Sequence, residues 1–499
     1  MSRPTLVSTL GIATLWALIA ATIPVGANAL AGEYDLVLKN GRVMDPESGL
    51  DARRHVGISG GRIAAVSERQ LSGKLELDVS GLVVAPGFID FHAHGQREFE
   101  AGLQAQDGVT TQLDLEIGVY PVAAWYRSRE GNAPINYGAT VGHVPVRQMV
   151  FSGLTEEEMS DPATGQTMLS QRHWVDSEAT DEQLLLIEQY IQRGLDDGGL
   201  GIGYGINYTA GATREEILRL FHVAKKNDVI NFAHSRSMAQ REPGGTVDAT
   251  LELIADAAIS GAGLHIVHIG SSGGKKTRLL LEMIDGARRN GLDITTEVYP
   301  YTAYTTFIGA AIFDGDFSRA QGIDYGDIEL QATGERLDKE RFDRIRRDEP
   351  NTMVVVHAMR EADVAMAVAH PGVVIASDGL MFVDGIGHPR GAGTYARVLG
   401  RYVREKKALG LMEALAKMSY LPAKRLESSV PQMKGKGRIR VGADADIVVF
   451  DADTVADRAT FRAPTLPSTG IRHVLVNGTF VVRDGELQKG VYPGRPIRR

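Results

Sequence analysis

Apolar and polar residues alternate with a strand-like period at both ends of the chain, and the pattern changes to strands spaced by helices between them. Residues 34–39 read as a strand running into an Asn40-Gly41 hairpin turn, with residues 42–44 returning. Residues 56–58 and 62–66 flank Gly60-Gly61 as a second hairpin, and residues 75–84 add further strand. The C-terminal end repeats this pattern over residues 445–450, 471–476 and 479–482, with Asn477-Gly478 as the last turn. None of this material needs a helix. The two ends are therefore expected to pair into one small β-sandwich domain, made of residues 30–86 and 430–499.

In the middle, Leu184, Ile187, Ile191 and Leu195 share one face of a helix over residues 181–195, and Thr180 with Gln183 makes its capping box. Thr213 and Glu216 are expected to form another capping box, opening a helix to about residue 227, and two more helices are expected over residues 247–259 and 277–290. Strands are expected over residues 88–94, 110–118, 139–146, 200–204, 229–234, 264–268, 294–299 and 373–377. Repeated βα units argue for a parallel sheet covered by helices, and eight of them for a closed barrel. The expected fold class is thus α/β, a (β/α)8 TIM barrel over residues 87–429 with the small β-sandwich domain beside it. Residues 302–353 are too long for an ordinary βα connection and hold a helix near residues 339–348. They follow the C-terminal end of the seventh strand, the face on which barrel active sites sit, and are expected to form a lid.

Composition narrows the function. The chain has 499 residues and a formal charge of −8 with no basic run, which excludes nucleic acid as a partner. Arg3, an apolar stretch over residues 6–25 and the small residues Ala27-Asn28-Ala29 read as a signal peptide, residues 1–29. The mature protein is then expected in the periplasm or the medium, with no stable membrane association. There is no cysteine, so a metal site must be built from His, Asp, Glu or a modified Lys.

His92 and His94 end the first barrel strand, where alternation points both imidazoles the same way, an arrangement suited to divalent zinc. His234, His268 and Asp378 end the fifth, sixth and eighth strands, where barrel catalytic residues gather. His265 lies three residues before His268 and is assigned to packing on the other face. Asp378 is placed both to bind metal and to take a proton from water.

Several runs carry a family resemblance: Pro86-Gly87-Phe88-Ile89-Asp90-Phe91-His92-Ala93-His94, Tyr299-Pro300-Tyr301-Thr302-Ala303, Ala376-Ser377-Asp378-Gly379 and His388-Pro389-Arg390. With them the chain resembles the amidohydrolase superfamily, and within it the N-acyl-D-amino-acid deacylase branch. The resemblance implies hydrolysis of a carbon–nitrogen bond in a small amide, with one or two zinc ions held by His92, His94, His234, His268 and Asp378. It implies Asp378 as general base, and Tyr299 and Arg390 as substrate contacts, with Arg390 on the substrate carboxylate. The branch's strand-two cysteine ligand is absent, and the strand reads Leu113-Asp114-Leu115-Glu116-Ile117-Gly118. Burying either carboxylate unpaired would cost several kcal/mol, so Glu116, nearer the mouth, is expected to be a metal ligand. The alternative is an arginine partner, Arg147 or Arg236. The branch's lysine after the strand-six histidine is also missing, where this chain has Ile269-Gly270-Ser271-Ser272. Two other functions remain open. One is a cyclic-amide hydrolase of the dihydroorotase or hydantoinase kind, although residues 200–204 lack the lysine such sites use. The other is an exported binding barrel without turnover.

Overall fold

The computed structural model describes residues 33–161 and 172–499, so the expected signal peptide lies outside the described residues. Five strands come first: β1 (Tyr34–Asp45), β2 (Leu50–Ser59), β3 (Arg62–Ser67), β4 (Gly73–Asp78) and β5 (Val83–Pro86). The first seven barrel strands are β6 (Phe88–Asp90), β7 (Val109–Val119), β8 (Asn136–Gly142), β9 (Gly201–Gly205), β10 (Ile230–His234), β11 (Gly263–Ile266) and β12 (Ile294–Val298). After an insertion with β13 (Tyr304–Phe307), β14 (Ile328–Leu330) and β15 (Met353–Val356), the eighth barrel strand is β16 (Val373–Ile375). The C-terminal end adds β17 (Ile447–Phe450), β18 (Ile471–Val476), β19 (Thr479–Arg483) and β20 (Glu486–Leu487).

The eight barrel strands are parallel and lie in chain order from β6 to β16. The first and last meet where Ala93 bridges Gly379 and the His94 amide donates to the Gly379 carbonyl at 2.8 Å. β8, β9 and β10 are buried along their whole length, as strands covered on both faces must be. The helix Asp181–Asp196 has the expected Thr180–Gln183 capping box; Thr213 caps the helix Arg214–Lys226 by accepting from the Glu216 amide, but the expected box is not completed, because the Glu216 carboxylate binds His143 and Arg147 instead. The third strand differs from expectation. It ends at Gly142 because the helix His143–Ser152 starts there, with Pro145 in the first turn, where its missing N–H costs no helical bond.

The strands of both chain ends share one hydrogen-bonded sheet of nine. β5 and β17 join the two ends antiparallel, with Val83 opposite Phe450 and Pro86 opposite Ile447. Leu36, Val56 and Ile58 from one end and Ile447, Val449 and Leu475 from the other form one apolar core. Gly60-Gly61 and Asn477-Gly478 are hairpin turns as expected, but Asn40-Gly41 is not. β1 runs through it with a register shift between Leu38 and Gly41, Asn40 taking φ 65°. The first half of β1 pairs with β4 and the second with β5, and these parallel partners hold the chain straight where a hairpin would fold it back. Asp446 ties the sheet to the barrel, accepting from Lys436 Nζ at 2.6 Å, Asn136 Nδ2 at 2.9 Å and the Asn477 amide at 2.7 Å.

The interval after β12 is built rather than irregular. β13, β15 and β14 form an antiparallel sheet in that order, and the helix Lys339–Asp348 lies where expected. Phe313, Phe317, Tyr325 and Phe342 pack edge-on and tilted as its core. Among the described residues, no helix is long and apolar enough to cross a membrane.

Candidate metal centre

Asp90 at the end of β6 fixes the place where the first and last strands meet. Its Oδ1 accepts from the His92 amide at 3.1 Å and the Ser377 amide at 3.0 Å, and its Oδ2 accepts from Ser377 Oγ and from Gln104. Burial pushes this carboxyl up to about 6 against those hydrogen bonds. His92 and His94 follow, with their Nε2 atoms 2.9 Å apart at the barrel mouth. Each ring turns its other nitrogen to a carboxylate, His92 Nδ1 to Glu297 Oε1 at 2.5 Å and His94 Nδ1 to Asp114 Oδ2 at 3.2 Å.

Glu116 reaches the centre on a bulge. From Asp114 to Val119 the strand β7 advances five residues while β8 advances only from Ala139 to Val141. Gly118 turns the bulge at φ 64°, where a Cβ would lie 2.4 Å from Thr140 Oγ1, and its amide donates to Asp114 Oδ1. The Glu116 carboxylate then lies between two pairs of imidazoles. Oε2 is 3.0 Å from His92 Nε2 and 3.1 Å from His94 Nε2, and Oε1 is 2.8 Å from His234 Nδ1 and 2.9 Å from His268 Nε2. Neither arginine considered as its alternative partner is near it in this role. Arg147 binds Glu216, and Arg236 binds Glu252 at 2.7 Å.

Asp378 completes the cluster. Its backbone is left-handed, φ 52°, and so is that of His268, φ 30°, uncommon conformations for residues with a Cβ that concentrate at working sites. Asp378 Oδ1 is 3.4 Å from His92 Nε2 and 3.7 Å from His94 Nε2, while Oδ2 is 2.9 Å from Arg390 Nη1. Arg390 is buried at the start of the helix Arg390–Arg397 and lies 4.8 Å over the Tyr299 ring. His388 sets that turn, its Nδ1 accepting from the Arg390 amide and its Nε2 donating to the Ala303 carbonyl. The Tyr299 hydroxyl is buried without a well-aligned hydrogen-bond partner, as is Arg390 Nε.

All six residues expected as ligands therefore meet in one cluster, with Tyr299 and Arg390 at its edge. Two residues acquire contacts that the sequence reading did not give them. Glu297 is a buried carboxylate on a barrel strand two residues before Tyr299, a signal akin to the one that singled out Glu116. His265, assigned to packing, is a polar partner instead, with Nε2 3.1 Å from Glu297 Oε2.

The electrostatics ask for positive charge. Asp114, Glu116, Glu297 and Asp378 face the cluster, and Arg390 is the cation paired there. Burial opposes charge on His92, but Glu116, Asp378 and Glu297 together hold the ring well above its ordinary value. Burial likewise opposes charge on His94, and Asp114 and Glu116 outweigh it, raising that group to about 10. A divalent cation answers the same demand. Imidazole nitrogens and carboxylate oxygens of His92, His94 and Asp378, and of His92, Glu116 and His268, lie within 4.8 Å of one another, so the donor set fits zinc.

A model of the amidohydrolase family matches residues 76–482. The chain is 32% identical over 509 residues to N-acyl-D-glutamate deacylase of Alcaligenes xylosoxydans xylosoxydans, covering 94% of this chain and 97% of that protein. Among solved structures it is similar to N-acyl-D-glutamate deacylase from Bordetella bronchiseptica, complexed with zinc and a phosphonate mimic of the tetrahedral intermediate. The TM-score is 0.78 at 28% identity, over 94% of this chain and 100% of that one. A D-aminoacylase with a binuclear metal center gives a TM-score of 0.78 at 25% identity, over 93% and 100%.

Proposed function

This chain belongs to the amidohydrolase family, enzymes that hydrolyse carbon–nitrogen bonds other than peptide bonds, and we propose that its substrates are N-acyl-D-amino acids or related small amides. The observation that carries the reading is the Glu116 carboxylate shared between two pairs of imidazoles, with Asp378 and Arg390 beside them. His92, His94 and Asp378 on one side of Glu116, and His234 and His268 on the other, would hold one or two zinc ions. Zinc in such a site lowers the pKa of water towards about 7 and polarises a carbonyl.

The chain's own groups do the rest. Asp378 accepts the attacking water's proton at Oδ1 and returns it to the leaving nitrogen. Tyr299, whose hydroxyl lacks a well-aligned partner within the protein, donates to the carbonyl oxygen as negative charge develops there. Arg390 binds the substrate carboxylate. A cyclic-amide hydrolase that recruits a modified lysine from the fourth strand is disfavoured, because β9 is Gly-Ile-Gly-Tyr-Gly and Glu116 already supplies the central carboxylate. Residues 302–353 act as the lid in this reading, with the backbone N–H of Gln240 on the rim donating to the Ala320 carbonyl at 2.6 Å. The apolar N-terminal stretch with Ala27-Asn28-Ala29 supports export and removal of residues 1–29.

The experiment is turnover of paired D and L N-acetyl amino acids, neutral and acidic, by zinc-loaded and chelator-stripped protein. Activity is expected on D substrates, absent after stripping and restored by zinc. Full activity in protein that elemental analysis finds free of metal would end the reading. Arg390→Ala is expected to raise KM for a free-carboxylate substrate more than for its amide, since a guanidinium grips a carboxylate through parallel hydrogen bonds. Equal losses on both would make Arg390 structural. Glu116→Ala is expected to lower zinc per chain along with activity, which elemental analysis of the dialysed variant checks.

A further inference from the structure

We propose that Glu297, held in turn by His265 and Thr295, is the positioning residue that fixes which nitrogen of His92 is offered to the metal. The four side chains form one line through the barrel interior. Thr295 Oγ1 is 2.7 Å from His265 Nδ1, His265 Nε2 is 3.1 Å from Glu297 Oε2, and Glu297 Oε1 is 2.5 Å from His92 Nδ1. His92, His265 and Glu297 are each at most 1% exposed, so water does not compete for the two Glu297 contacts.

Donor and acceptor roles follow from the carboxylate. Glu297 lies between two ring nitrogens, at 2.5 and 3.1 Å, and a carboxylate there is an acceptor at both oxygens. Both rings must therefore donate to it, His92 from Nδ1–H and His265 from Nε2–H. His265 Nδ1 is then an acceptor for the Thr295 hydroxyl, which fixes the far end. At the near end, a neutral His92 with its proton on Nδ1 turns a lone pair on Nε2 towards His94, Glu116 and Asp378. The other tautomer would set two lone-pair-bearing atoms against each other at 2.5 Å and turn an N–H into the metal centre. Phe91 and Phe232 wall the His265 ring at centroid distances of 5.6 and 5.4 Å, so the line has little freedom to rearrange. Outer partners of this kind typically change metal affinity by about 10–100-fold when removed.

The inference rests on the zinc reading of the site, and competition with a chromophoric zinc chelator tests the two separately. If the wild-type protein binds no zinc, the reading of the site fails. If the wild type binds and the inference holds, Glu297→Gln binds zinc about 10–100-fold more weakly, while the metal-stripped variant melts as the stripped wild type does. In a His92→Ala background the same substitution should change zinc affinity little, because the residue through which it acts is gone. Wild-type affinity in folded Glu297→Gln, or an equal loss with and without His92, overturns the inference. Should Glu297→Gln not fold, Thr295→Val removes only the far hydrogen bond and leaves every charge in place. A severalfold loss of zinc affinity there supports the line, and an unchanged affinity overturns it.

Discussion

Asp378→Asn should lower kcat by about 10²–10⁴-fold, the usual range for loss of a general acid–base group, while the protein folds and still binds zinc. The substitution is well matched to the site. Asparagine tolerates the left-handed backbone that Asp378 adopts at φ 52°, so the turn after β16 should persist. Its amide oxygen can still face His92 and His94 from where Oδ1 now stands, 3.4 and 3.7 Å away. What it lacks is the ability to accept a proton from water and pass it on. Arg390 also loses its anionic partner at Oδ2, which should raise KM for a carboxylate substrate less than it lowers kcat. Steady-state kinetics with zinc content measured on the same preparation decides the matter. A variant with near wild-type kcat would remove Asp378 from the proton path.

The parts of this centre that were legible in the sequence are those governed by position on a strand. His92, His94, His234 and Asp378 could be placed because side chains at the carboxyl ends of barrel strands converge on one mouth. Glu116 could be placed because a carboxylate in an apolar strand needs a partner. His265 could not, and the reason is local. Counting alternate residues back from His268 assumes an extended backbone, but β11 ends at Ile266 and His268 is left-handed at φ 30°, so the parity of the two side chains is broken. The bulge that carries Glu116 is hidden for the same reason, since extra residues on β7 show only against their partners on β8. At Asn40-Gly41 the local turn signal was real, as φ 65° at Asn40 attests, but β4 and β5 decide the path of β1 from more than thirty residues away. Local chemistry was readable where one strand decided the outcome, and not where two had to be aligned.

A large stability loss outside the metal centre is expected from Glu216→Gln, at about 3–5 kcal/mol. Glu216 lies in the first turn of the helix Arg214–Lys226, at the point where that helix meets His143 and Arg147. Arg147 is fully buried and binds both Glu216 oxygens, the Trp174 carbonyl and the Ser177 carbonyl, and His143 Nε2 is 2.7 Å from Glu216 Oε1. Burial works against the Glu216 charge, but His143 and Arg147 outweigh it and hold the carboxyl below its ordinary value. Glutamine keeps the shape and removes the charge, leaving a buried guanidinium without its counter-ion. The double variant Arg147→Met with Glu216→Leu should cost far less, because both desolvated charges leave together. The sign of the pH dependence is also set. A carboxyl with a lowered folded pKa contributes fully above its unfolded value of about 4.3 and loses that contribution as the pH falls through the folded value. Wild-type stability should therefore fall more steeply than that of Glu216→Gln below about pH 4.3, in denaturant titrations run at several pH values. Equal stability of wild type and Glu216→Gln at neutral pH would show that Arg147 is satisfied by the two carbonyls alone.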